Sequence, residues 1–366
     1  NKESKKTDGN KMSKIKDIPK LDDANWAGTK KSDEAILILT EGDSAKSMAI
    51  SGLSVVGRDR YGVFPLKGKV LNVRDASKET ILKNAEITNL KKILGLETGK
   101  EYKKTRSLRY GRVMIMTDQD HDGSHIKGLV LNIFQSLWPS LLELGYITSM
   151  ITPIIKATRG KKVKSFYTLK EYNNWLNKIK DTNKWHIKYY KGLGTSNAKE
   201  AKEYFSNMKI NNYIHTEDTN DSMALAFSKD QTDKRKEWLY NYNEENILDH
   251  TQEDIPIERF IHDELIHFSN ADTLRSVGSL LDGFKPSQRK VFYSCLKRKL
   301  FSEIRVAQLA GYVSENAAYH HGEASLQSTI IGMAQNYIGS NNINLLMPNG
   351  QFGTRIMGGH DSASPR

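Results

Sequence analysis

Three aspartates in the segment TDQDHDG stand at alternate positions, Asp118, Asp120 and Asp122. In an extended segment, residues two apart point the same way, so we expect the three carboxylates to converge. Neighbouring carboxylates repel one another and raise each other's pKa, and a bound cation removes that penalty. Mg²⁺ prefers oxygen ligands. Glu41, at the end of another predicted strand, is the natural fourth ligand, and the sequence therefore predicts a magnesium site.

The acidic segment has two competing interpretations. An EF-hand calcium loop also opens with D-x-D-x-D-G, but its twelfth position is a glutamate and this sequence has Leu129 there. An apolar run typical of a strand, rather than a helix, precedes the aspartates, which also argues against an EF-hand. A solvated acidic loop stays open, because runs of charge are usually surface. It does not explain why both acidic segments lie between a predicted strand and a predicted helix.

The elements that must position these carboxylates alternate between strands and helices. Residues 35–39 (AILIL) form a short apolar run typical of a buried strand, an acidic turn follows, and residues 45–52 are predicted helical. The same order recurs with an apolar strand at 113–116, the aspartates, and an amphipathic helix over about 125–144. This alternation predicts a parallel α/β sheet. Because functional groups in such sheets gather at the carboxyl ends of strands, both acidic turns belong at that edge.

The chain changes character after this sheet. Residues 160–250 are mixed, and after Asp254 short helical patterns with basic residues precede a Gly- and Asn-rich tail, which suggests a helix-turn-helix or winged-helix module. The predicted fold class is a multidomain chain, α/β first and mainly α afterwards. Its predicted parts are a basic flexible arm (1–33), a metal-binding α/β domain (34–160), its extension and connector (161–250) and a winged-helix DNA-binding domain (251–366).

The composition favours an anionic partner. Lysine and arginine number 55 against 43 acidic residues, which leaves a formal net charge of +12 and indicates nucleic acid first. The sole cysteine, Cys295, excludes an internal disulfide and a cysteine-built zinc site. Polar residues interrupt the most apolar stretch, 129–147, so we expect no membrane span. PLKGKVLN (65–72) and KGLGT (191–195) combine lysine with glycine, which lets backbone approach phosphate, although either segment alone is more often a simple turn.

Several segments together carry a resemblance to a known family. EGDSA (41–45) and DQDHDGSHI (118–126) resemble the Toprim signature, an acidic glutamate plus a DxD pair. KYYKGLGTS, LLDGFKPSQRKV, YHHGEASL and GQFGTRIMGGHDSASPR are similar to eukaryotic-type DNA topoisomerase II, a type IIA topoisomerase. The match covers nearly the whole chain in order. It implies the DNA cleavage and religation core, a Toprim parallel α/β sheet followed by a winged-helix (helix-turn-helix) domain.

The resemblance also implies an activity and its cofactors. The family is ATP-dependent, makes a transient double-strand break with 5′-phosphotyrosyl links, and passes a second duplex through it. By resemblance Glu41, Asp118 and Asp120 hold Mg²⁺, for which Mn²⁺ or Ca²⁺ can substitute, Asp122 supports them, and Arg366 stabilises the transition state. ATP belongs only to an N-terminal domain absent from this sequence. The implied partners are double-stranded DNA, a second subunit in a homodimer and an intercalating poison at the cleavage site, with no membrane and a nuclear location.

The resemblance further implies a set of DNA-binding residues. They are Lys67, Lys69, Asn72, Lys191, Arg235, Lys236, Lys285, Arg289, Lys290, Tyr319, His320, His321 and Ser325. The sequence departs from the family pattern in three places. The nucleophilic tyrosine is expected directly after Arg366, where this sequence stops; Lys67 replaces a common arginine and loses its planar stacking; and His360 replaces a common lysine.

Two other functions share part of these features. A Toprim-type nuclease or primase would have the glutamate and the DxD pair, but it would not need a winged-helix tail that ends in SPR (364–366). A non-enzymatic winged-helix module would bind DNA through its basic residues while the acidic cluster served only the structure. Loss of metal-dependent cleavage on replacing Asp120, with DNA binding kept, would reject the non-enzymatic alternative.

Overall fold

The computed structural model describes residues 7–179, 181–190, 192–319, 321–341 and 343–365. The chain divides into two compact units, Asn1–Ser269 and Asn270–Arg366. Three predicted site residues, Lys191, His320 and Arg366, lie outside the described residues. Their roles therefore stay predictions.

The described part of the first unit contains a six-stranded and a three-stranded sheet. The strands are β1 (Ile36–Thr40), β2 (Tyr61–Pro65), β3 (Arg112–Met116), β4 (Ile147–Ile151), β5 (Ile155–Arg159), β6 (Lys162–Phe166), β7 (His186–Tyr189), β8 (Lys209–Ile214) and β9 (Asp254–Pro256). The larger sheet has the order β2-β1-β3-β4-β8-β9. Pairing is parallel from β2 through β4 and between β8 and β9, and antiparallel between β4 and β8. The predicted α/β class with a mostly parallel sheet is confirmed.

Helices connect these strands and build the second unit. They are α1 (Asp43–Val56), α2 (Lys78–Lys83), α3 (Ala85–Leu94), α4 (His121–Leu137), α5 (Pro139–Glu143), α6 (Leu169–Leu176), α7 (Ala198–Ser206), α8 (Thr219–Phe227), α9 (Thr232–Tyr240), α10 (Ile257–Phe260), α11 (Ile266–Ser276), α12 (Pro286–Arg298), α13 (Val306–Asn316) and α14 (Glu323–Ala334). A π-helical turn, Ile261–Leu265, separates α10 from α11. The helix predicted over 125–144 therefore begins earlier and stops at Leu137, because Pro139 starts a separate helix.

The larger sheet is covered on both faces. Leu37 and Leu39 of β1 belong to the apolar cluster that includes α4, whereas Ile38 belongs to the cluster that includes α1. A strand buried on both faces reads as a continuous apolar run, which is why β1 and β3 are recognisable in the sequence. Since α1 and α4 each follow the carboxyl end of a parallel strand, the two acidic loops lie at the same edge of the sheet.

The smaller sheet positions the Gly-rich segment. β5 pairs antiparallel with both β6 and β7, and Phe166, Tyr172 and Trp175 fill the core beneath it. β7 ends at Tyr189, two residues before KGLGT. The sheet therefore holds one end of that loop.

The N-terminal segment differs from the flexible arm expected over residues 1–33. Within its described part, from residue 7, Ile18, Ala24 and Ala27 are buried in the main core. Asp22 pairs with Val63 of β2 through backbone hydrogen bonds in both directions. The fully buried guanidinium of Arg109 donates to the Asp23 carboxylate in the same segment. A buried charge needs such a partner, so this polar stretch is packed although it has no apolar period.

The second unit is helical. Val291 of α12, Leu309 and Val313 of α13, and Leu326 and Ile330 of α14 share one buried cluster. Cys295 is buried in the same cluster, and burial raises its thiol pKa, so it is a packing residue. From Asn270 to residue 365 the described residues form helices and no strand, so a helical second unit is present and the winged helix stays a prediction. In the described part of the chain no helix is both long and apolar enough to span a membrane.

Candidate metal and DNA-binding site

Glu41 and Asp118 meet at the carboxyl edge of the large sheet. β1 and β3 pair in parallel with Thr40 opposite Met116, so the loops that leave these strands emerge side by side. The backbone N–H of Asp118 donates to Glu41 Oε2 with an N···O distance of 3.4 Å. The proximity expected of the glutamate and the aspartate segment is therefore present.

The acidic edge of the sheet is electrostatically unfavourable without a cation. Burial, together with the negative charges of Asp118, Asp120 and Asp122, raises the pKa of Glu41 to about 7. Burial also raises the pKa of Asp118, with a further contribution from Asp120. Carboxylates held together in this way are suited to a bound cation, because a positive charge removes both the repulsion and part of the desolvation penalty.

The Gly-rich loop contacts Asp118 directly. The backbone N–H of Leu193 donates to Asp118 Oδ1 at 2.7 Å. A Cβ atom added to Gly192 would lie 2.2 Å from Asp118 Oδ2, so only glycine lets the loop come this close. From the sequence, KGLGT could either approach phosphate or form a simple turn; its described residues hold the Asp118 carboxylate.

We expect Gly192→Ala to weaken Mg²⁺ binding by about 10- to 100-fold, the range typical for losing a group that orients a metal ligand. The new methyl group would displace the Asp118 carboxylate. Isothermal titration of the chain with Mg²⁺ measures the effect. Gly194→Ala is the matched control in the same loop, because its Cβ would meet only Ser44 Cβ at an ordinary 3.8 Å; equal affinity in both variants would contradict the assigned contact.

Asp120 and Asp122 lie at the start of α4. Asp120 is the N-cap residue, and its Oδ1 accepts the Gly123 N–H at 2.8 Å. Asp122 lies in the first helical turn and pairs with Lys69 at 2.7 Å. The expectation that residues 118–122 are extended is therefore wrong, because the helix begins at His121. The negative charge of Asp120 helps to raise the pKa of Glu41. Asp122 differs from Asp120 in that its carboxylate also pairs with a lysine.

A compact three-ligand cluster of His, Cys, Asp or Glu does not occur among the described residues. The predicted convergence of Glu41 and the three aspartates into one cluster is therefore not borne out in the part of the chain that the structure describes. Mg²⁺ in proteins is usually held by one or two carboxylates together with water and substrate phosphates. Glu41 and Asp118 fit that pattern, because they are half-buried and adjacent and their negative charges repel each other. Asp120 is near enough to raise the pKa of both. The donor set thus suits a hard divalent ion that shares its coordination with other oxygens.

The predicted DNA-binding residues of the first unit have different surroundings. Lys67 and Lys69 are exposed, and the Lys69 ammonium also lies 4.7 Å from the Phe268 ring centroid. Lys236 is exposed and pairs with Asp233. These lysines are available to a polyanion at the surface.

Two other predicted DNA-binding residues make intramolecular contacts. Asn72 donates to the Phe227 carbonyl and accepts from Asn132, both at 2.8 Å. The guanidinium of Arg235 donates to the Ser228 carbonyl at 2.6 and 2.9 Å, which satisfies backbone at the end of α8. Their intramolecular partners give both residues a structural role whether or not they also touch DNA.

In the second unit the predicted DNA-binding residues surround α12 and the turn before α14. Lys285 precedes α12, Arg289 forms a two-pronged pair with Asp282, and Lys290 donates to the Ala318 carbonyl at 2.7 Å. The other members are buried Tyr319, exposed His321, whose ring lies 5.4 Å from that of Tyr319, and exposed Ser325. Lys290 therefore contacts the residue before Tyr319, and the Tyr319 ring in turn contacts His321.

A buried ionic group beneath the acidic loop was missed from the sequence. Lys127 of α4 forms an ion pair with Glu264 of the π-helical turn, and Ser124 also donates to Glu264, at 2.7 Å. The only signal in the sequence was a lysine inside an apolar helix, SHIKGLVLN, since its partner lies 137 residues away.

Comparison with known proteins agrees with the fold and the acidic edge. The described sheet and its two acidic loops define a Toprim domain, and the Toprim family model matches residues 36–150. The model described as "C-terminal associated domain of TOPRIM" matches residues 150–273, and the model for the A subunit of DNA gyrase/topoisomerase IV matches residues 275–366. The chain belongs to the type II DNA topoisomerase family, of the eukaryotic kind.

Individual relatives are similar over the whole chain. "DNA topoisomerase 2" of Saccharomyces cerevisiae is 56% identical over 99% of this chain and 26% of its own length. "DNA topoisomerase 2-beta" of Homo sapiens is 55% identical over 99% of this chain and 23% of its own. The solved Plasmodium falciparum topoisomerase II DNA-binding, cleavage and re-ligation domain has a TM-score of 0.82 and 51% identity, over 97% of this chain and 49% of that one. The chain spans about a quarter of the length of these curated relatives.

Proposed function

We propose that this chain is the DNA cleavage and religation core of an ATP-dependent type IIA topoisomerase, which relaxes and decatenates DNA through a transient double-strand break. The observation that carries the proposal is the meeting of Glu41 and Asp118 at the edge of a Toprim sheet. Similarity to a solved DNA-binding, cleavage and re-ligation domain over 97% of the chain supports it. A nuclease, a primase or a purely structural acidic cluster would not account for residues 275–366, which match a topoisomerase subunit.

The proposed DNA cleavage requires a divalent metal, which Toprim domains of type II topoisomerases use. We propose Mg²⁺, held by Glu41, Asp118 and Asp120, with Asp122 in support. When bound, the ion would polarise the scissile phosphate and stabilise the leaving oxygen. The chain's own residues prepare for it: Leu193 fixes the Asp118 carboxylate and Asp120 fixes the start of α4.

The remaining assignments rest on the family. Arg366 is proposed to stabilise negative charge on the phosphate, next to a tyrosine nucleophile expected directly after it. The exposed lysines and the second-unit group around Lys290 are proposed to bind duplex DNA. The relatives are named as DNA topoisomerases, and from the family resemblance we propose that this chain works on double-stranded DNA in a nuclear homodimer. ATP is proposed to bind in another part of the full-length protein, and an intercalating poison beside Lys67.

A cleavage assay on the full-length protein tests this function. Supercoiled plasmid is incubated with the protein and Mg²⁺, trapped with detergent and digested with protease. We expect linear DNA whose 5′ ends carry a phosphotyrosyl peptide, and none when the metal is chelated. Breaks with free 5′ ends would instead indicate a nuclease, and intact plasmid would indicate a binding module.

We expect DNA affinity to fall by roughly 10³-fold between about 50 and 200 mM salt, as for proteins that make about six or more phosphate contacts. The cause is release of counterions from DNA by lysines and arginines. Fluorescence anisotropy with a short duplex measures the slope of log affinity against log salt. Lys285→Ala should reduce that slope by about one, whereas Lys83→Ala, which removes an exposed lysine paired with Glu79, should leave it unchanged. A flat salt response would contradict a basic DNA-binding surface.

A further inference from the structure

The helical segment from α10 to α11 contains an irregular turn with two buried carboxylates. The π-helical turn Ile261–Leu265 interrupts the α-helix, and Asp263 and Glu264 within it are both buried. π-helical turns are rare and occur frequently at functional sites. Adjacent buried charges are unfavourable unless both are paired. Asp263 pairs with Arg259 and accepts from Asn246, whereas the partners of Glu264 lie on α4.

Glu264 accepts hydrogen bonds from two side chains of α4. Its Oε1 accepts from the ammonium of Lys127 and from the hydroxyl of Ser124, at 2.7 Å in the second case. Its Oε2 lies 3.5 Å from His250 Nε2. The Lys127 side chain is 2% exposed, so Glu264 neutralises a fully buried charge. The Lys127 charge lowers the pKa of Glu264 despite burial, which is consistent with an ionised pair.

The Glu264 contacts lead to the proposed metal site within one turn of helix. The Ser124 hydroxyl also lies 3.1 Å from the Asp120 carbonyl oxygen, and Asp120 is the residue at which α4 begins. One side of this helix start is thus fixed by the Asp120 cap on Gly123. The first turns of α4 are also anchored to the π-helical turn, because Ser124 and Lys127 both donate to the Glu264 carboxylate. Asp120 contributes to the raised pKa of both Glu41 and Asp118, so its position affects the whole acidic group.

Stability alone is a weak reason for this buried pair. Replacing a buried ion pair by apolar residues of similar volume is often neutral or stabilising, because desolvation offsets the attraction between the charges. An apolar contact would hold α4 against the π-helical turn without fixing its rotation. A carboxylate that accepts from two side chains of α4 fixes that rotation, because hydrogen bonds are directional.

We propose that Glu264 is a positioning residue: through Ser124 and Lys127 it sets the orientation of the α4 start, and therefore of Asp120, that divalent-ion binding requires. The inference rests on the proposed function, since it concerns the same metal. It adds a residue 144 positions beyond Asp120 in the sequence.

The test separates positioning from stability by replacing both charges. Lys127→Met combined with Glu264→Leu removes the pair and leaves no buried charge unpaired. We expect the thermal unfolding temperature of this double variant to be close to that of the wild type or above it. We expect Mg²⁺ affinity, measured by isothermal titration of the chain, to fall by about 10- to 100-fold. A stable double variant with wild-type Mg²⁺ affinity would overturn the proposal.

A second buried pair serves as the matched control. Lys91 and Asp8 are 2.8 Å apart, with side chains 6% and 16% exposed, and they lie outside the contacts of the acidic loop. Lys91→Met combined with Asp8→Leu should leave Mg²⁺ affinity unchanged; an equal loss there would overturn a specific role for Glu264. If the Lys127–Glu264 double variant does not fold, Ser124→Ala removes one of the two donors to Glu264 and keeps the buried ion pair intact. It should weaken Mg²⁺ binding in the same direction, and unchanged affinity would again overturn the proposal. Failure of the wild-type chain to bind Mg²⁺ would instead contradict the proposed function.

Discussion

Asp120→Asn is expected to lower Mg²⁺-dependent DNA cleavage by the full-length protein by about 10²- to 10³-fold, the loss typical when one electrostatic contact to a transition state is removed. The substitution removes a charge from the proposed metal site. It keeps the structure, because asparagine is as good an N-cap as aspartate and its Oδ1 can still accept the Gly123 N–H that Asp120 accepts now. The measurement is the initial rate of plasmid cleavage, together with the thermal unfolding temperature.

Asp43→Asn is the matched control for this experiment. Asp43 belongs to the other acidic loop, but its side chain is 67% exposed and pairs with Lys20 on the surface. We expect its cleavage rate to stay within about twofold of the wild type, since exposed pairs contribute little. Equal losses in the two variants would indicate that total negative charge matters rather than a metal site. A large fall in unfolding temperature for Asp120→Asn would indicate a structural role.

The sheet edge that carries the site was predictable from local sequence. β1 and β3 are apolar runs followed at once by carboxylates, and parallel strands bring such ends together. The start of α4 could also have been predicted, because an aspartate before an apolar helical run is a typical N-cap. An extended segment through Asp120 is the wrong expectation, and it misplaces Asp122 relative to the sheet.

The contacts that orient the site were not predictable from local sequence. Gly192 and Leu193 reach Asp118 across about 75 residues of sequence, and Glu264 reaches Lys127 across 137. No helical or strand period encodes such pairs, since they depend on how the sheet and its helices pack. The N-terminal segment is similar: its order depends on the buried Arg109, which its own polar composition does not reveal.

Residue type alone also could not distinguish basic side chains that are exposed at the surface from basic side chains that hold the fold together. Lys69 and Arg235 look alike in the sequence as basic residues near Gly-rich or charged segments. In the structure Arg235 donates to the backbone at the end of α8, whereas Lys69 is exposed beside Asp122. Substitution of Arg235 would therefore change local stability as well as any DNA contact, whereas substitution of Lys69 would remove an ion-pair partner of Asp122 as well as any DNA contact.

The Mg²⁺ affinity of the chain is expected to depend strongly on pH. Below pH 7 it should fall about tenfold per pH unit, or roughly 100-fold between about pH 7 and pH 5. The reason is that a proton must leave a ligand before the metal can bind. Burial and the neighbouring aspartates raise the pKa of Glu41 from 4.5 to about 7. Below that pH Glu41 is protonated, so metal and proton compete. Isothermal titrations across this range measure how Mg²⁺ affinity changes with pH. A glutamate with an ordinary pKa of 4.5 would lower the affinity only at pH values below about 4.5.

Glu41→Gln isolates the group responsible. A carboxyl whose folded pKa is raised destabilises the metal-free fold as pH rises from about 4.5 to about 7, because the folded state then holds the unfavourable charge. Glutamine removes that charge, so at pH 8 without metal the variant should unfold at a higher temperature than the wild type. With Mg²⁺ present the order should reverse, because the variant loses a ligand and with it the stabilisation that binding provides. If the variant kept the wild-type slope of Mg²⁺ affinity between pH 5 and 7, a group other than Glu41 would be the proton competitor.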